Sequence, residues 1–344
     1  MNNFSLQINL GIYFEVSKDI GMGHFHRCLN LSNLINSQKS YFFYLNSNDI
    51  SINTKIEKLT NKNNIILNKI DDKNELINLT TNIKFDLFII DSFFENYQLE
   101  TQIKENVNKL LIWDHYPYRK HNCDYILDHT INFLEDYHYK NLNKGCKIIY
   151  GTDKVILNKE FYKTNIINKT GLKNVLVMMG GTDVNNDTLI ILKSLLNLNK
   201  LLSDDLVFKI IITDSYEKKD DIINFCSKYK NMEILENVNN NLIPNILNNT
   251  DLLINTAGMS NYEALYFGIP SITIFTRKIH YEHLNDLVER KAIFIIKKIN
   301  YIYEFNNIIN NIKIDYNNIH KRLLNIIPKK NNIKNILLEI IMES

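Results

Sequence analysis

Twice along this chain an apolar run ends in a glycine-bearing turn and opens onto a segment of helical period. Leu6–Val16 leads into Gly21-Met22-Gly23-His24, and Val175–Met179 leads into Gly180-Gly181-Thr182-Asp183. Around these turns short apolar runs alternate with amphipathic segments. In the first half the runs are Leu6–Val16, Tyr41–Leu45, Asn64–Leu67, Leu87–Ile90, Lys109–Trp113 and Tyr125–Leu127. In the second they are Val175–Met179, Val207–Ile212, Met232–Leu235, Leu252–Asn255, Ser271–Phe275 and Ala292–Ile296. Segments of helical period separate them, among them Arg27–Asn36, Asp187–Leu196, Asp220–Lys228, Leu242–Asn248, Asn261–Phe267 and His280–Arg290. Such alternation predicts parallel sheets covered by helices on both faces. With 344 residues, 45% of them hydrophobic, there is material for two cores. The expected fold is therefore α/β, with two doubly wound Rossmann-like domains (residues 1–160 and 161–315) facing each other across a cleft. A helical segment, 316–344, should follow and break or kink at Pro328. The polar stretch Lys159–Lys173 reads as the linker.

Lys+Arg at 40 nearly balance Asp+Glu at 38, which argues against a protein built to bind nucleic-acid backbone. No run approaches the roughly 18 apolar residues needed to span a bilayer, so stable membrane insertion is not expected. The amino terminus shows no basic segment followed by an apolar one, and the four cysteines (Cys28, Cys123, Cys146, Cys226) lack CxxC spacing. Reduced thiols and a cytoplasmic location are the expectation.

The loops carry the chemistry. Gly21 and Gly23 supply conformational freedom, and His24 enters the helix with a ring that exchanges protons near neutrality. Adjacent Gly180 and Gly181 let backbone approach a phosphate, and Thr182 adds a hydroxyl donor. A third loop, Thr256-Ala257-Gly258-Met259-Ser260, follows an apolar run and opens a short helix with Glu263 in its first turn. Loops at the carboxyl ends of doubly wound strands gather around ligands, where a carboxylate can accept both hydroxyls of a ribose. Each element also has a structural reading: a tight strand–helix turn for the glycines, a solvated helix-start residue for Glu263.

Gly-Met-Gly-His-Phe-His-Arg-Cys, Met-Gly-Gly-Thr-Asp-Val-Asn-Asn and Asn-Thr-Ala-Gly-Met-Ser-Asn-Tyr-Glu-Ala-Leu-Tyr-Phe-Gly-Ile-Pro occur in that order. Together they resemble the PseG family, the UDP-sugar hydrolases of pseudaminic acid biosynthesis, relatives of the MurG glycosyltransferases. Phe88-Ile-Ile-Asp91 and His121-Asn-Cys-Asp124 are lesser echoes, and the resemblance covers about residues 8–295. It implies a GT-B fold and hydrolysis of UDP-2,4-diacetamido-2,4,6-trideoxy-β-L-altropyranose at the anomeric carbon, with inversion. His24 would activate water. Gly180, Gly181, Thr182 and Asp183 would lie on the diphosphate, and Ala257, Gly258, Met259, Ser260 and Glu263 on phosphate and uridine. Gly21, Met22, Gly23, Arg27, Asp91 and Asp114 would line the sugar. No cofactor, metal or nucleic-acid partner is expected, and the protein is expected to be a monomer in surface-glycan biosynthesis.

Three departures from that pattern fall in the first half. Asp114-His115 stands where an acidic pair is usual, Asp128-His129 where Asn is common, and Tyr150–Leu157 lacks a tyrosine after its glycine. They leave the sugar open, and with it the acceptor. The alternative is a GT-B glycosyltransferase in which His24 deprotonates an acceptor hydroxyl; a non-catalytic sugar-nucleotide binder is a third class, disfavoured by an intact His24. Asp91, Asp114 and Asp124 read as strand-end groups on the cleft side, any one able to polarise His24 or bind sugar hydroxyls, each also a potential turn or cap residue. The spacings of His115, His121 and His129 match no zinc pattern. His26 and Arg27 share the first turn with His24, and His280 and His283 read as helix-surface residues.

Overall fold

The structure is a computed structural model. It describes residues 8–343 except 18–19, 36, 38, 46–49, 62–63, 94, 115–118, 131–141, 184, 198–205, 276–283, 285–286 and 297–301; of 302 and 303 it describes the backbone alone. The chain divides into two compact units. Unit 1 runs to Ile156 and resumes at Lys330, and unit 2 is Leu157–Lys329.

Unit 1 holds β1 (Asn9–Phe14), β2 (Lys39–Leu45), β3 (Ile65–Ile70), β4 (Leu87–Asp91), β5 (Leu110–Trp113), β6 (Tyr125–Asp128) and β7 (Lys147–Tyr150). Among the described residues these form one parallel sheet in the order β3-β2-β1-β4-β5-β6-β7. Its helices are α1 (Gly23–Ile35), α2 (Ile50–Thr60), α3 (Lys73–Asn82) and α4 (Tyr97–Lys104). The strand period of two divides the apolar residues between two cores. Leu10, Ile12 and Phe14 pack with Phe25 and Leu31 of α1, while Tyr13, Phe43, Phe88 and Ile90 pack with Leu99 and Ile103 of α4. Gly11 is needed in β1 because a Cβ there would meet the Phe88 ring at 2.3 Å.

Unit 2 holds β8 (Asn174–Met178), β9 (Val207–Ile212), β10 (Met232–Glu236), β11 (Leu252–Thr256), β12 (Ser271–Ile274) and β13 (Ile293–Ile296), parallel in the order β10-β9-β8-β11-β12-β13. Its helices are α5 (Asp187–Asn197), α6 (Lys219–Cys226), α7 (Ile243–Asn248), α8 (Met259–Tyr266), α9 (Ile302–Ile314) and α10 (Tyr316–Leu323). The final helix, α11 (Ile333–Met342), returns to unit 1, where Ile333, Leu337, Ile340 and Ile341 complete the core on the α1 side.

The α/β alternation expected from the sequence is present, with differences of local origin. β7 escapes notice because Lys147–Tyr150 is a short edge strand with only Ile149 fully buried. α1 begins at Gly23, ahead of the apolar period that starts at Arg27, and His24 is in its first turn as expected. The terminal stretch divides around Pro328 into α10 in unit 2 and α11 in unit 1. The expected linker Lys159–Lys173 is bound down onto unit 2: Phe161 is buried and stacks on Phe267 at 5.5 Å. Its polar groups are answered too, with Asn248 accepting from the Ile167 amide at 3.1 Å and donating to the Asn165 carbonyl at 2.7 Å. Most of the expected helix His280–Arg290, including His280 and His283, lies outside the described residues.

Candidate active site

Each sheet has one point at which strand order reverses: between β1 and β4 in unit 1, and between β8 and β11 in unit 2. Phe14 pairs with Asp91 at the first, Met178 with Asn255 at the second. Loops leaving adjacent strands there diverge to opposite faces, and the crevice between them is where doubly wound sheets take ligands. The predicted loops sit at these two crevices.

In unit 1 the chain leaves β1 through a turn closed by the Gly21 amide donating to the Ser17 carbonyl at 2.8 Å, with Gly21 at φ +81°. Nothing lies within 4 Å of the position a Cβ would take at Gly21 or Gly23, so the turn borders open space among the described residues. Met22 packs against the core. His24, Arg27 and Cys28 then share one helix face, three and four residues apart. All three face Asp91, the last residue of β4, which is fully buried. Nδ1 of His24 lies 2.6 Å from Asp91 Oδ1, Arg27 Nε donates to Oδ2 at 2.5 Å, the other Arg27 nitrogen donates to Oδ1, and Cys28 Sγ reaches Oδ2 at 3.3 Å. Burial alone would raise the Asp91 pKa, but Arg27 and then His24 outweigh it and hold the carboxyl well below the usual carboxylate range. An ionised carboxylate only accepts, so Nδ1 carries a proton, and in the neutral ring the lone pair is on Nε2. Nε2 has no hydrogen-bond partner among the described residues, and Phe93 packs its ring edge-on to the imidazole at 4.4 Å.

Arg27, read from sequence as a sugar contact, is 7% exposed and lies 4.7 Å from the centre of the Trp113 ring. Asp91 has both oxygens engaged by His24, Arg27 and Cys28. The two residues stand behind His24 as its support, because a carboxylate at a strand end inside a parallel sheet must be paired where it is. His26 is on the same turn but faces elsewhere, its pKa pushed down to about 4 by burial and by Lys55.

Asp114, also expected to touch sugar, is buried at the end of β5. Its Oδ2 accepts from Arg119 Nε at 2.8 Å and faces His121 Nε2 at 2.9 Å. His121 Nδ1 in turn faces Glu100 Oε1 at 2.8 Å, and Glu100 Oε2 accepts from the Asn122 amide at 2.8 Å. Burial works against a charged His121, but the hydrogen bonds to Asp114 and Glu100 prevail and raise its pKa to about 9. Arg119 also donates to the main-chain carbonyls of Ser92 at 2.9 Å and Glu95 at 3.1 Å. Asp124 precedes β6 and so lies at the opposite sheet edge from His24, where it pairs with Lys104 at 2.9 Å. His129 accepts from the Trp113 indole at 3.0 Å, and His115 lies outside the described residues. No metal-binding cluster is found among the described residues.

In unit 2, Gly180 takes φ +86°, and its carbonyl accepts from Tyr216 Oη at 2.8 Å while the Gly181 carbonyl accepts from Thr213 Oγ1 at 2.7 Å. In a trans peptide the N–H points opposite to the C=O. The amides of Gly181 and Thr182 are thereby turned away from those anchors, and they have no partner among the described residues. Asp183 accepts from the amides of Asp187 (2.8 Å) and Thr188 (3.1 Å), so its carboxylate caps α5. The neighbouring loop is braced from beneath. Asn255 donates to Ser260 Oγ at 2.7 Å and to Asn261 Oδ1 at 3.1 Å, and Thr273 donates to Asn255 Oδ1 at 3.0 Å. This leaves Ala257 and Gly258 at the surface before the first amides of α8. The two loops touch, with a Cβ at Gly180 3.7 Å from Thr256 Oγ1. Glu263 lies in the second turn of α8, not the first, because the helix begins at Met259. Its carboxylate has no partner among the described residues, and burial pushes its pKa up to about 7.

The sequence reading named His24, Asp91 and Asp114 but not Glu100 or Arg119. One signal was available: Glu100 falls between Leu99 and Ile103 on the apolar stripe of α4, where an unpaired charge would be costly.

No family model matches the chain. It is 26% identical over 296 residues, 82% of this chain and 59% of the relative, to the uncharacterized protein MJ1062 of Methanocaldococcus jannaschii. It is 32% identical over 114 residues to the UDP-2,4-diacetamido-2,4,6-trideoxy-beta-L-altropyranose hydrolase of Campylobacter jejuni, covering 33% of this chain and 41% of that protein. In both cases the chain spans less than two thirds of the curated relative it matches. Among solved structures, MurG of Acinetobacter baumannii superposes with a TM-score of 0.59 at 11% identity, over 98% of this chain and all of that one. No helix among the described residues is long and apolar enough to cross a membrane. The two parallel-sheet, Rossmann-like units have the GT-B fold of MurG.

Proposed function

We propose that this protein is a nucleotide-sugar hydrolase that cleaves a UDP-linked amino- or deoxy-sugar at C1 in nonulosonic acid biosynthesis. The observation that carries the reading is His24, whose Nδ1 is fixed by buried Asp91 while Nε2 stays free at the β1/β4 crevice. In the proposed step Nε2 removes a proton from water as its oxygen attacks C1. The C1–O bond to UDP breaks with inversion, and UDP departs with the bonding electrons. The unpaired amides of Gly181 and Thr182 and the start of α8 supply donors for the departing diphosphate without a metal. Glu263, unpaired one turn into α8, accepts the ribose hydroxyls. The partial similarity to the Campylobacter jejuni hydrolase supports this substrate class.

The second reading is a glycosyltransferase, favoured by the MurG-like fold. The same Nε2 would then deprotonate an acceptor hydroxyl. Incubation with a panel of UDP-sugars and no acceptor separates the two. UDP release that disappears in His24→Ala, with UDP binding intact, supports hydrolysis. Strict dependence on an added acceptor makes the protein a transferase, and UDP binding without either activity sinks both.

A further inference from the structure

His121 is a buried, doubly hydrogen-bonded histidine that the proposed chemistry leaves unused. Both ring nitrogens face carboxylate oxygens, Nδ1 toward Glu100 at 2.8 Å and Nε2 toward Asp114 at 2.9 Å. Carboxylates only accept, so both contacts are hydrogen bonds only when the ring is an imidazolium. A neutral ring would turn a lone pair toward one of two buried anions, at 1% and 3% side-chain exposure. Other titratable groups nearby are Cys123, whose Sγ lies 3.4 Å from that of Cys146 before β7, and the Lys104–Asp124 pair.

The string continues past Asp114. Arg119 holds Asp114 Oδ2 and spends its remaining donors on the carbonyls of Ser92 and Glu95. Those carbonyls bracket the turn that leaves β4 just after Asp91. Glu15 secures the same turn from the other side, accepting from Ser92 Oγ at 2.5 Å and from the Phe93 amide at 3.1 Å. This turn carries the Phe93 ring that lies against His24.

We propose that His121 is a positioning residue for His24: as an imidazolium between Glu100 and Asp114 it sets Arg119, which fixes the Ser92–Glu95 turn and so the Phe93 ring and Asp91 carboxylate on either side of the His24 ring. The part concerning turnover rests on the reading of His24 as the base. The part concerning geometry does not.

The test is nitrogen-15 NMR of the histidine side chains in the full chain, with His24→Ala and His121→Gln used for assignment. At pH 7.5 wild type should show His121 protonated on both nitrogens, and the neutral form of His24 should carry its proton on Nδ1. Arg119→Lys keeps the charge but loses the fork that spans two carbonyls and a carboxylate. It is the variant of choice where His121→Gln does not fold. In either variant the His24 nitrogen shifts should move and its tautomers mix. UDP release should fall in kcat by about tenfold or more with KM changed less than twofold, the signature of a displaced reacting group. A neutral His121 at pH 7.5, or unmoved His24 signals in folded Arg119→Lys, overturns the proposal. Moved His24 signals in a protein that turns over no UDP-sugar keep it and remove the hydrolase reading instead.

Discussion

Nδ1 of His24 lies 2.6 Å from Oδ1 of Asp91, and Asp91 has no exposed surface. The histidine is in the first turn of a helix and the aspartate ends the adjacent strand, 67 residues away. The pair joins α1 to the middle of a seven-stranded sheet and decides which nitrogen of buried His24 is left without a partner among the described residues.

Asp91→Asn tests that relationship. An amide can donate to Nδ1 as easily as accept from it, so Nε2 loses its assured lone pair. UDP release should fall on the order of a hundredfold or more, since the whole general-base contribution is at stake. UDP binding, which the proposal assigns to the loops of unit 2, should not change. The variant also leaves Arg27 buried without its anion, and a loss of about 3 kcal/mol in denaturant unfolding is expected.

Glu263 predicts a pH dependence of nucleotide binding. Burial pushes its pKa up to about 7, while only the ionised form accepts both ribose hydroxyls. UDP affinity should therefore strengthen as pH rises through 7 and weaken by about tenfold per unit below it. UDP's own terminal phosphate titrates near 6, so the comparison is with Glu263→Gln by calorimetry. The variant should bind more weakly and lose the component centred near 7. An identical pH profile in both proteins would remove Glu263 from the ribose.

Gly180→Ala isolates the backbone of the glycine loop. The Cβ itself has room, with Thr256 Oγ1 at 3.7 Å, but φ is +86°. Holding alanine there costs about 1–2 kcal/mol, and the loop is expected to relax by rotating the amides that follow. Affinity for UDP should drop roughly tenfold while the NMR signals of His24 stay in place.

His121 makes stability pH-dependent. Its pKa is 6.5 in the unfolded chain and about 9 in the fold, so the folded state favours the protonated ring. That stabilisation is complete below pH 6.5 and is lost as pH rises through 9, to a total of about 3 kcal/mol. The urea midpoint of wild type should fall between pH 7 and 9.5. His121→Gln should start lower at pH 7 and show a flatter profile.

The fold was legible because short apolar runs alternate with helical periods, and parallel strands buried on both faces need no polar alternation. Short edge strands carry too few apolar residues for that signal, and β7 was lost for this reason. His24 and the glycine loops were visible because chemistry and conformation coincide in one short stretch. Which of Asp91, Asp114 and Asp124 holds His24 was not, since a strand-end carboxylate looks the same whether it faces a ligand, a histidine or a buried cation. Asp183 shows the same ambiguity: its sequence neighbours are ligand-loop residues, and its oxygens cap a helix. The distinction lies in partners such as Arg27 and Arg119 that reach it from elsewhere, and the polar stretch before β8 looked free because Asn248, which holds it, comes some 80 residues later.

Unit 2 is one uninterrupted stretch of chain, whereas unit 1 is not: α11, from Ile333 onward, fills part of the core beneath Phe25 and Leu31. On a ribosome this imposes an order of events. Residues 157–329 can finish folding while the domain that carries His24 still waits, with an open apolar face, for the four isoleucine and leucine side chains of α11, which leave the ribosome after unit 2. Removal of α11 would therefore be felt first at the helix that carries His24, about 300 residues earlier in the sequence.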